Sequence, residues 1–179
     1  MSEYQYYEFL AIDRTLTQEE QEAVASRSSR VDPHPRRAVF TYSWSDFPGR
    51  AEDVLAQYYD AMIYMANWGT KQLIFRFPKG LLNVPQIQPY LQPRYVEDYV
   101  SLTPVGEHLV LDMKFYEEGG GYWVEGEGWL DALVPLRDDI LRGDYRALYL
   151  AWLKTLEVEE ALHTVPEPPV PPGLGSSTP

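Results

Sequence analysis

Histidines are the side chains best suited to acid–base or metal chemistry near neutral pH, because they titrate there. The sequence has three of them, His34, His108 and His163. No two are four residues apart, the spacing that places two metal ligands on one face of a helix. A three-histidine metal centre would require all three to converge from distant parts of the chain. The spacing therefore favours three unrelated, mostly exposed histidines.

Acidic side chains concentrate in and just after the glycine-rich stretch 117–128. Clustered carboxylates can hold Mg²⁺ or Ca²⁺, and a pair of them can act as general acid and base. The carboxylates concerned are Glu117, Glu118, Glu125, Glu127 and Asp131. Their spacing does not match an EF-hand loop. The glycines 119–121 do not make a phosphate-binding loop either, because glutamates flank them and no Lys-Ser or Lys-Thr pair follows. We interpret the stretch as a solvated acidic loop.

Arginines are concentrated at only one place, Arg30, Arg36 and Arg37, close to the aromatic residues of 40–44. Basic and aromatic side chains together can bind single-stranded nucleic acid. However, alternate residues of a strand point to opposite faces, and the net charge of the chain is −12. An anionic protein partner or internal ion pairs fit these arginines better.

Aromatic residues are abundant, with 14 tyrosines and 5 tryptophans. Most will lie in the core or at half-buried positions. Tyr and Trp are also favoured at protein interfaces, where the ring packs and its polar tip stays hydrogen-bonded. They recur in three clusters: Tyr4, Tyr6 and Tyr7; Tyr58, Tyr59 and Tyr64; Tyr122, Trp123 and Trp129. We expect an aromatic protein-binding surface, and Tyr42, Trp44 and Trp68 mark its best candidate face.

Composition narrows the functional classes further. The chain has 179 residues and no cysteine, so disulfides, thiolate nucleophiles and cysteine-ligated metals are excluded. The N-terminus has no basic region followed by an apolar run, and no stretch approaches the 18 apolar residues of a membrane span. An acidic surface repels phosphate backbones and anionic lipid. We expect a cytoplasmic protein that binds neither nucleic acid nor membrane.

The periodicity of apolar residues predicts an α+β fold. Strands are expected over 4–12, 36–44 and 71–77, followed by a hairpin of 98–103 and 107–116. Helices are expected over 17–28 and 51–66, with a short one near 86–91. Two C-terminal helices follow, the first beginning near Trp129 and resetting at Pro135, and the second capped by Asp144. The order is β-α-β-α-β and then a hairpin, a mixed sheet of about five strands covered by helices. Two layers are favoured, and a three-layer sandwich stays open.

The chain changes character near residue 165. Residues 1–164 are expected to form a single globular domain. Six of the last fourteen residues are proline. We therefore expect residues 165–179 to form an extended proline-rich tail or linker with no core of its own.

Several segments together resemble a family of uncharacterised bacterial proteins. They are EYQYYEFLAIDRTLTQEE, YSWSDF, QYYDAMIYMANWGTKQL, GEHLVLDM, GWLDALVPLRDDILRGDYRALYLAWL and EPPVPPGLG. The resemblance covers most of the chain, but the family has no assigned activity, so it implies no functional residue. Its members often continue past the PPGLG stretch into more helical sequence, and a second part could hold the function.

The sequence favours a non-enzymatic protein-binding or accessory module with a protein partner, and it assigns no catalytic, cofactor-binding or metal-binding residue. One alternative is a metal-assisted hydrolase or nuclease built on carboxylates. Its ligands would come from the acidic loop and from Asp13, Asp46, Glu52, Asp53 and Asp60. A second alternative is a regulatory part of a longer polypeptide.

Overall fold

A computed structural model describes residues 3–92, 98–118, 125–156 and 166–174. Its strands are β1 (Tyr4–Leu10), β2 (Arg37–Ser43), β3 (Ala61–Ala66), β4 (Thr70–Pro78), β5 (Tyr99–Val105) and β6 (His108–Tyr116). They form one six-stranded sheet in the order β2-β1-β3-β4-β6-β5, and every neighbouring pair is antiparallel. The α+β class is confirmed. The expected mixed sheet of about five strands is wrong in both strand count and direction.

The helices are α1 (Gln18–Ala25), α2 (Ala51–Tyr58), α3 (Val84–Ile87), α4 (Trp129–Leu133), α5 (Pro135–Leu141) and α6 (Arg146–Leu156). A 3-10 turn, Gln88–Tyr90, continues α3. Helix α1 begins at the predicted capping box. The Thr17 hydroxyl accepts a hydrogen bond from the Glu20 N–H at 3.2 Å, and the Glu20 carboxylate accepts one from the Thr17 N–H at 2.9 Å. The expected reset at Pro135 is also confirmed, because it separates α4 from α5.

Hydrophobic side chains are buried on both faces of the sheet. On one face, Phe9, Phe40 and Met62 pack with Val24 of α1 and Leu55 of α2. On the other face the packing extends from the sheet to residues of α3 to α6, among them Ile87, Leu130, Ile140 and Leu148. The molecule thus has three layers, which corrects the favoured two-layer arrangement.

The helix predicted over 51–66 is wrong after residue 58. Tyr59 has an extended backbone, with φ −125° and ψ 166°, and β3 begins two residues later. Asp60 fixes this break because its carboxylate binds the Arg76 side chain and two backbone N–H groups at the end of β1. The extra strand reverses the chain, which makes the whole sheet antiparallel.

The β3–β4 turn depends on a glycine. Gly69 has φ +113°, and a Cβ there would lie 2.1 Å from the Glu117 carbonyl oxygen. The Gly69 carbonyl accepts the Glu117 N–H at 3.1 Å, which joins this turn to the end of β6.

Gly69→Ala will therefore lower the free energy of unfolding by about 2–3 kcal/mol, because backbone strain and a backbone clash coincide. Gly106→Ala is the matched control: φ is +56° and the space around it is open, so a loss of about 1 kcal/mol is expected. Urea unfolding of both variants measures the difference. Equal decreases in the free energy of unfolding would show that the clash with the Glu117 carbonyl does not destabilise Gly69→Ala.

Candidate peptide-binding groove

Aromatic side chains from the 3-10 turn, from Tyr145 just before α6 and from α6 itself meet on one side of the sheet. Tyr145, Tyr149 and Trp152 follow the three- and four-residue spacing that places side chains on one helix face. The rings of Tyr149 and Trp152 stack with centroids 5.9 Å apart, and those of Tyr90 and Tyr145 lie 6.1 Å apart. Helix α6 packs against β5, β6 and the 3-10 turn, so the groove lies near the β5 edge of the sheet. We call these four side chains the aromatic groove.

The proline-rich segment 166–174 contacts this aromatic groove. Pro168 and Pro171 are buried and Leu174 is half-buried, whereas the residues between them are exposed. The three-residue spacing of Pro168 and Pro171 equals the repeat of a polyproline II helix. A turn follows, in which the Leu174 N–H donates to the Pro171 carbonyl at 3.4 Å. Residues 166–171 belong to no helix or strand, and one side of the segment is covered by the protein. The extended tail expected over 165–179 stays a prediction.

Two tyrosine hydroxyls hold the segment in place. Tyr90 Oη donates to the Pro169 carbonyl oxygen at 2.7 Å, and Tyr149 Oη donates to Glu167 Oε1 at 2.5 Å. Burial raises the pKa of Tyr90, and the hydrogen bond to Glu167 raises that of Tyr149. Both hydroxyls therefore stay protonated at physiological pH and remain donors.

A separate cavity of about 520 Å³ lies at the Leu174 end of the segment. Its apolar walls include Leu73 and Met113 of the sheet and Leu150 of α6, which is 54% exposed. The indole N–H of Trp152 is buried and has no acceptor within the described parts of the chain. The groove thus combines aromatic side chains, two hydroxyl donors and one N–H donor that has no acceptor among the described residues.

Each of the described histidines has a separate place in the fold. His34 is exposed, and its Nδ1 accepts the backbone N–H groups of Arg36 and Arg37 at 3.1 and 3.2 Å. His108 is half-buried at the start of β6, where burial and the nearby Arg76 lower its pKa. His163 lies outside the described residues. His34 and His108 therefore do not form a common site.

The acidic loop is only partly within the described residues, which leave out 119–124, with the three glycines, Tyr122 and Trp123. Glu117 pairs with Lys71 at 2.5 Å, and Asp131 pairs with Arg37 at 2.6 Å. Glu118, Glu125 and Glu127 are exposed. In the described parts of the chain, no three acidic or histidine side chains lie close enough to share a metal ion.

The other candidate carboxylates separate into two groups. Asp13 forms a two-bond ion pair with Arg137, at 3.0 and 2.8 Å, and Asp60 binds Arg76 at 3.0 Å. The Asp13 N–H also donates to Asp60 Oδ2 at 2.9 Å, so these two lie together at one end of the sheet. Asp46 and Glu52 line a cavity of about 280 Å³ on the α2 side, and Asp53 is exposed in the first turn of α2.

Two of the three arginines singled out by the sequence serve the fold itself. Arg37 bridges Glu8 and Asp131, and the Arg36 guanidinium donates to the Ala11 and Ile12 carbonyls. Arg30 is exposed and forms no ion pair with any described residue.

The aromatic face expected around Tyr42, Trp44 and Trp68 stays a prediction. The strands before Trp44 and Trp68 end side by side, because Ser43 pairs with Tyr4 and Ala66 with Gln5. Tyr42 packs inward, with its ring centroid 5.9 Å from that of Phe47. Trp44 follows β2 and is 68% exposed, whereas Trp68 lies in the β3–β4 turn and is 38% exposed. The aromatic groove at 145–152 was missed, although the Tyr145, Tyr149 and Trp152 spacing was a usable signal.

No protein-family model, curated protein or solved structure matches this chain. Among the described residues, no helix has the length and apolar character needed to cross a membrane.

Proposed function

We propose that the protein is a non-enzymatic protein-binding module whose aromatic groove binds extended proline-rich segments. The observation that carries this proposal is the segment 166–174 of the same chain, seated there with Pro168 and Pro171 buried. The bond from Tyr90 to the Pro169 carbonyl adds recognition of the peptide backbone. The bound segment is an example of the ligand class that the groove accepts.

The chemistry of the groove suits this ligand class. A polyproline II segment is already extended before binding, so little chain entropy is lost when it docks on aromatic rings. It makes no internal backbone hydrogen bonds, so its carbonyl oxygens are free to accept from hydroxyl groups. Tyr90 and Tyr149 supply such donors, and their raised pKa values keep them protonated.

A partner would have to compete with the protein's own segment. A tethered ligand has an effective concentration in the millimolar range, so a free peptide of equal intrinsic affinity binds only weakly while the tether is docked. Occupation by the tethered segment therefore makes the module selective for strong or locally concentrated partners. We also propose a cytoplasmic location, which suits a chain with no cysteine.

The proposal is tested by isothermal titration calorimetry with a peptide of the sequence 166–174. In the 179-residue chain, Pro168→Ala/Pro171→Ala weakens the tethered ligand. The apparent affinity of this variant for the peptide should therefore exceed that of the unmodified chain by about tenfold or more. Adding Tyr90→Phe to that variant removes the hydroxyl that would donate to the peptide carbonyl equivalent to that of Pro169. That hydrogen bond contributes about 0.5–1.5 kcal/mol, which corresponds to a roughly two- to tenfold weaker affinity.

A peptide with alanine in place of both buried prolines is the matched control and should bind at least about tenfold more weakly. Equal affinity for the two peptides would contradict recognition of proline. Absence of binding to the double variant at millimolar peptide would contradict the proposed function itself.

A further inference from the structure

The two edges of the sheet differ in how they are protected. Strand β5 carries Pro104 and packs against α6, and both features discourage pairing with another strand. Strand β2, Arg37–Ser43, has neither proline nor glycine and is rich in residues that favour strands. In the described part of the chain, β1 is the only strand that pairs with β2. The outer edge of β2 is therefore the one open to an added strand.

A polar cavity of about 240 Å³ lies beside the end of this edge. One wall is formed by the segment that follows α1, and the other by the end of β2 and the residues after it. Its lining residues are Ser28, Ser29, Arg30, Thr41, Tyr42, Ser43 and Ser45. Burial raises the pKa of Tyr42, against a smaller lowering by Ser28, so its hydroxyl stays protonated. The cavity thus offers hydroxyl groups and one guanidinium, a set that suits a carboxylate.

Charge makes this cavity unusual for the protein. The chain has a net charge of −12, yet the only charged side chain lining the cavity is that of Arg30. Arg37 is already neutralised by Glu8 and Asp131, whereas Arg30 has no ion-pair partner among the described residues. An exposed, unpaired arginine at a strand edge attracts an anionic group and helps to orient it.

Trp44 adds a second unusual feature at the same place. Its backbone has φ +65°, a conformation that bulky residues rarely adopt, and its side chain is 68% exposed. Gln5 Nε2 donates to the Ser45 carbonyl at 3.2 Å and thereby holds this turn against β1. Strained backbone that is held in place often marks a binding site. Here it positions an exposed indole at the end of the open edge.

We propose that an extended acidic segment of a partner protein pairs with β2 as a seventh strand and places one carboxylate in the cavity at Arg30. Backbone hydrogen bonds to the edge would supply affinity, and the cavity would select the side chain. This surface is separate from the aromatic groove, which lies toward the β5 edge. A negative result at β2 would therefore not affect the proposed function, and the reverse also holds. With both binding surfaces the protein would be an adaptor.

The test uses the full chain, labelled with ¹⁵N, and two synthetic hexapeptides, acetyl-Thr-Val-Glu-Val-Thr-Val-amide and its lysine counterpart. NMR titration should shift the amide signals of residues 38–45 with the glutamate peptide, and the outward-facing amides of β2 should gain protection from hydrogen exchange. The lysine peptide should bind about tenfold more weakly.

Arg30→Glu should reverse this preference. Arg27→Glu makes the same change of charge outside the cavity lining. It should leave the ratio of the two peptide affinities within about twofold of that of the unmodified chain. Thermal unfolding of both variants checks that they are folded, and Tyr90→Phe should leave binding at β2 unchanged. Three outcomes would overturn the proposal: equal affinity for both peptides, shifts confined to other surfaces, or protection of β2 by self-association without peptide.

Discussion

Asp60→Asn will lower the free energy of unfolding by about 3–5 kcal/mol, because it leaves the buried Arg76 guanidinium without its counter-charge. Asp60 is 2% and Arg76 6% exposed. One Asp60 oxygen accepts from Arg76, and the other accepts the N–H groups of Ile12 and Asp13 at 2.6 and 2.9 Å. Asparagine has only one side-chain acceptor oxygen, so it cannot accept at both places.

Asp32→Asn is the control, because Asp32 is exposed and forms no ion pair within the described residues. A change within about 0.5 kcal/mol is expected for it. Urea unfolding at pH 7 measures both variants. A loss below about 1 kcal/mol for Asp60→Asn would show that the ion pair only offsets its own desolvation.

Because of the Asp60 carboxylate, we expect the free energy of unfolding to depend on pH in the acid range. Burial raises the pKa of Asp60, but the backbone N–H groups of Asp13 and Ile12 and the Arg76 guanidinium outweigh it, so the pKa is lowered. The stabilisation is complete above the unfolded-state pKa of about 3.9 and is lost as pH falls through the lower folded-state pKa. The stability difference between the wild type and Asp60→Asn should therefore narrow below about pH 4. A constant difference down to pH 2 would contradict the lowered pKa.

Arg137→Ala should cost about 3–5 kcal/mol, because it removes a large, fully buried side chain together with its hydrogen bonds. Arg137 is 2% exposed; it donates twice to the Arg76 carbonyl, at 3.0 and 2.7 Å, and its guanidinium lies 5.1 Å from the centre of the Phe77 ring. It thereby fastens α5 to the end of β4.

Two further variants separate the contribution of the ion pair from that of the buried side chain. Asp13→Asn alters only the ion-pair partner of Arg137, and the Asp13 side chain is 45% exposed. The free energy of unfolding should therefore fall by about 1 kcal/mol or less. Arg142→Ala, at an exposed position just after α5, should change stability by less than about 0.5 kcal/mol. If Asp13→Asn cost as much as Arg137→Ala, the ion pair rather than burial would be the main contribution.

Sequence reasoning located most elements because their signals were local. The Thr17 and Glu20 capping box, the alternation in 107–116 and Pro135 each depend on neighbouring residues. The error at 59–66 arose because Tyr59 and Met62 continue the apolar stripe of α2. The run Ala61–Ala66 is uninterruptedly apolar, as expected of a central strand buried on both faces. The ion pair between Asp60 and Arg76 favours the strand over a longer helix, and Arg76 lies sixteen residues away in β4.

The candidate groove was harder to predict because Tyr90, residues 145–152 and the segment 166–174 that they hold lie far apart in the sequence. The proline content of 166–174 predicted an extended chain, but composition cannot show which side of the segment is covered. The period of three in Pro168, Pro171 and Leu174 was the available signal. Its receptor required Tyr90 to lie beside Tyr145, a contact that no local pattern encodes.

The most direct test of recognition in the aromatic groove is to locate the bound peptide. We would measure intermolecular NOEs between a ¹³C-labelled peptide of sequence 166–174 and the 179-residue Pro168→Ala/Pro171→Ala variant. We expect NOEs from the proline ring protons to the rings of Tyr90, Tyr149 and Trp152. NOEs to Trp44 or Trp68 instead, or none at saturating peptide, would contradict it.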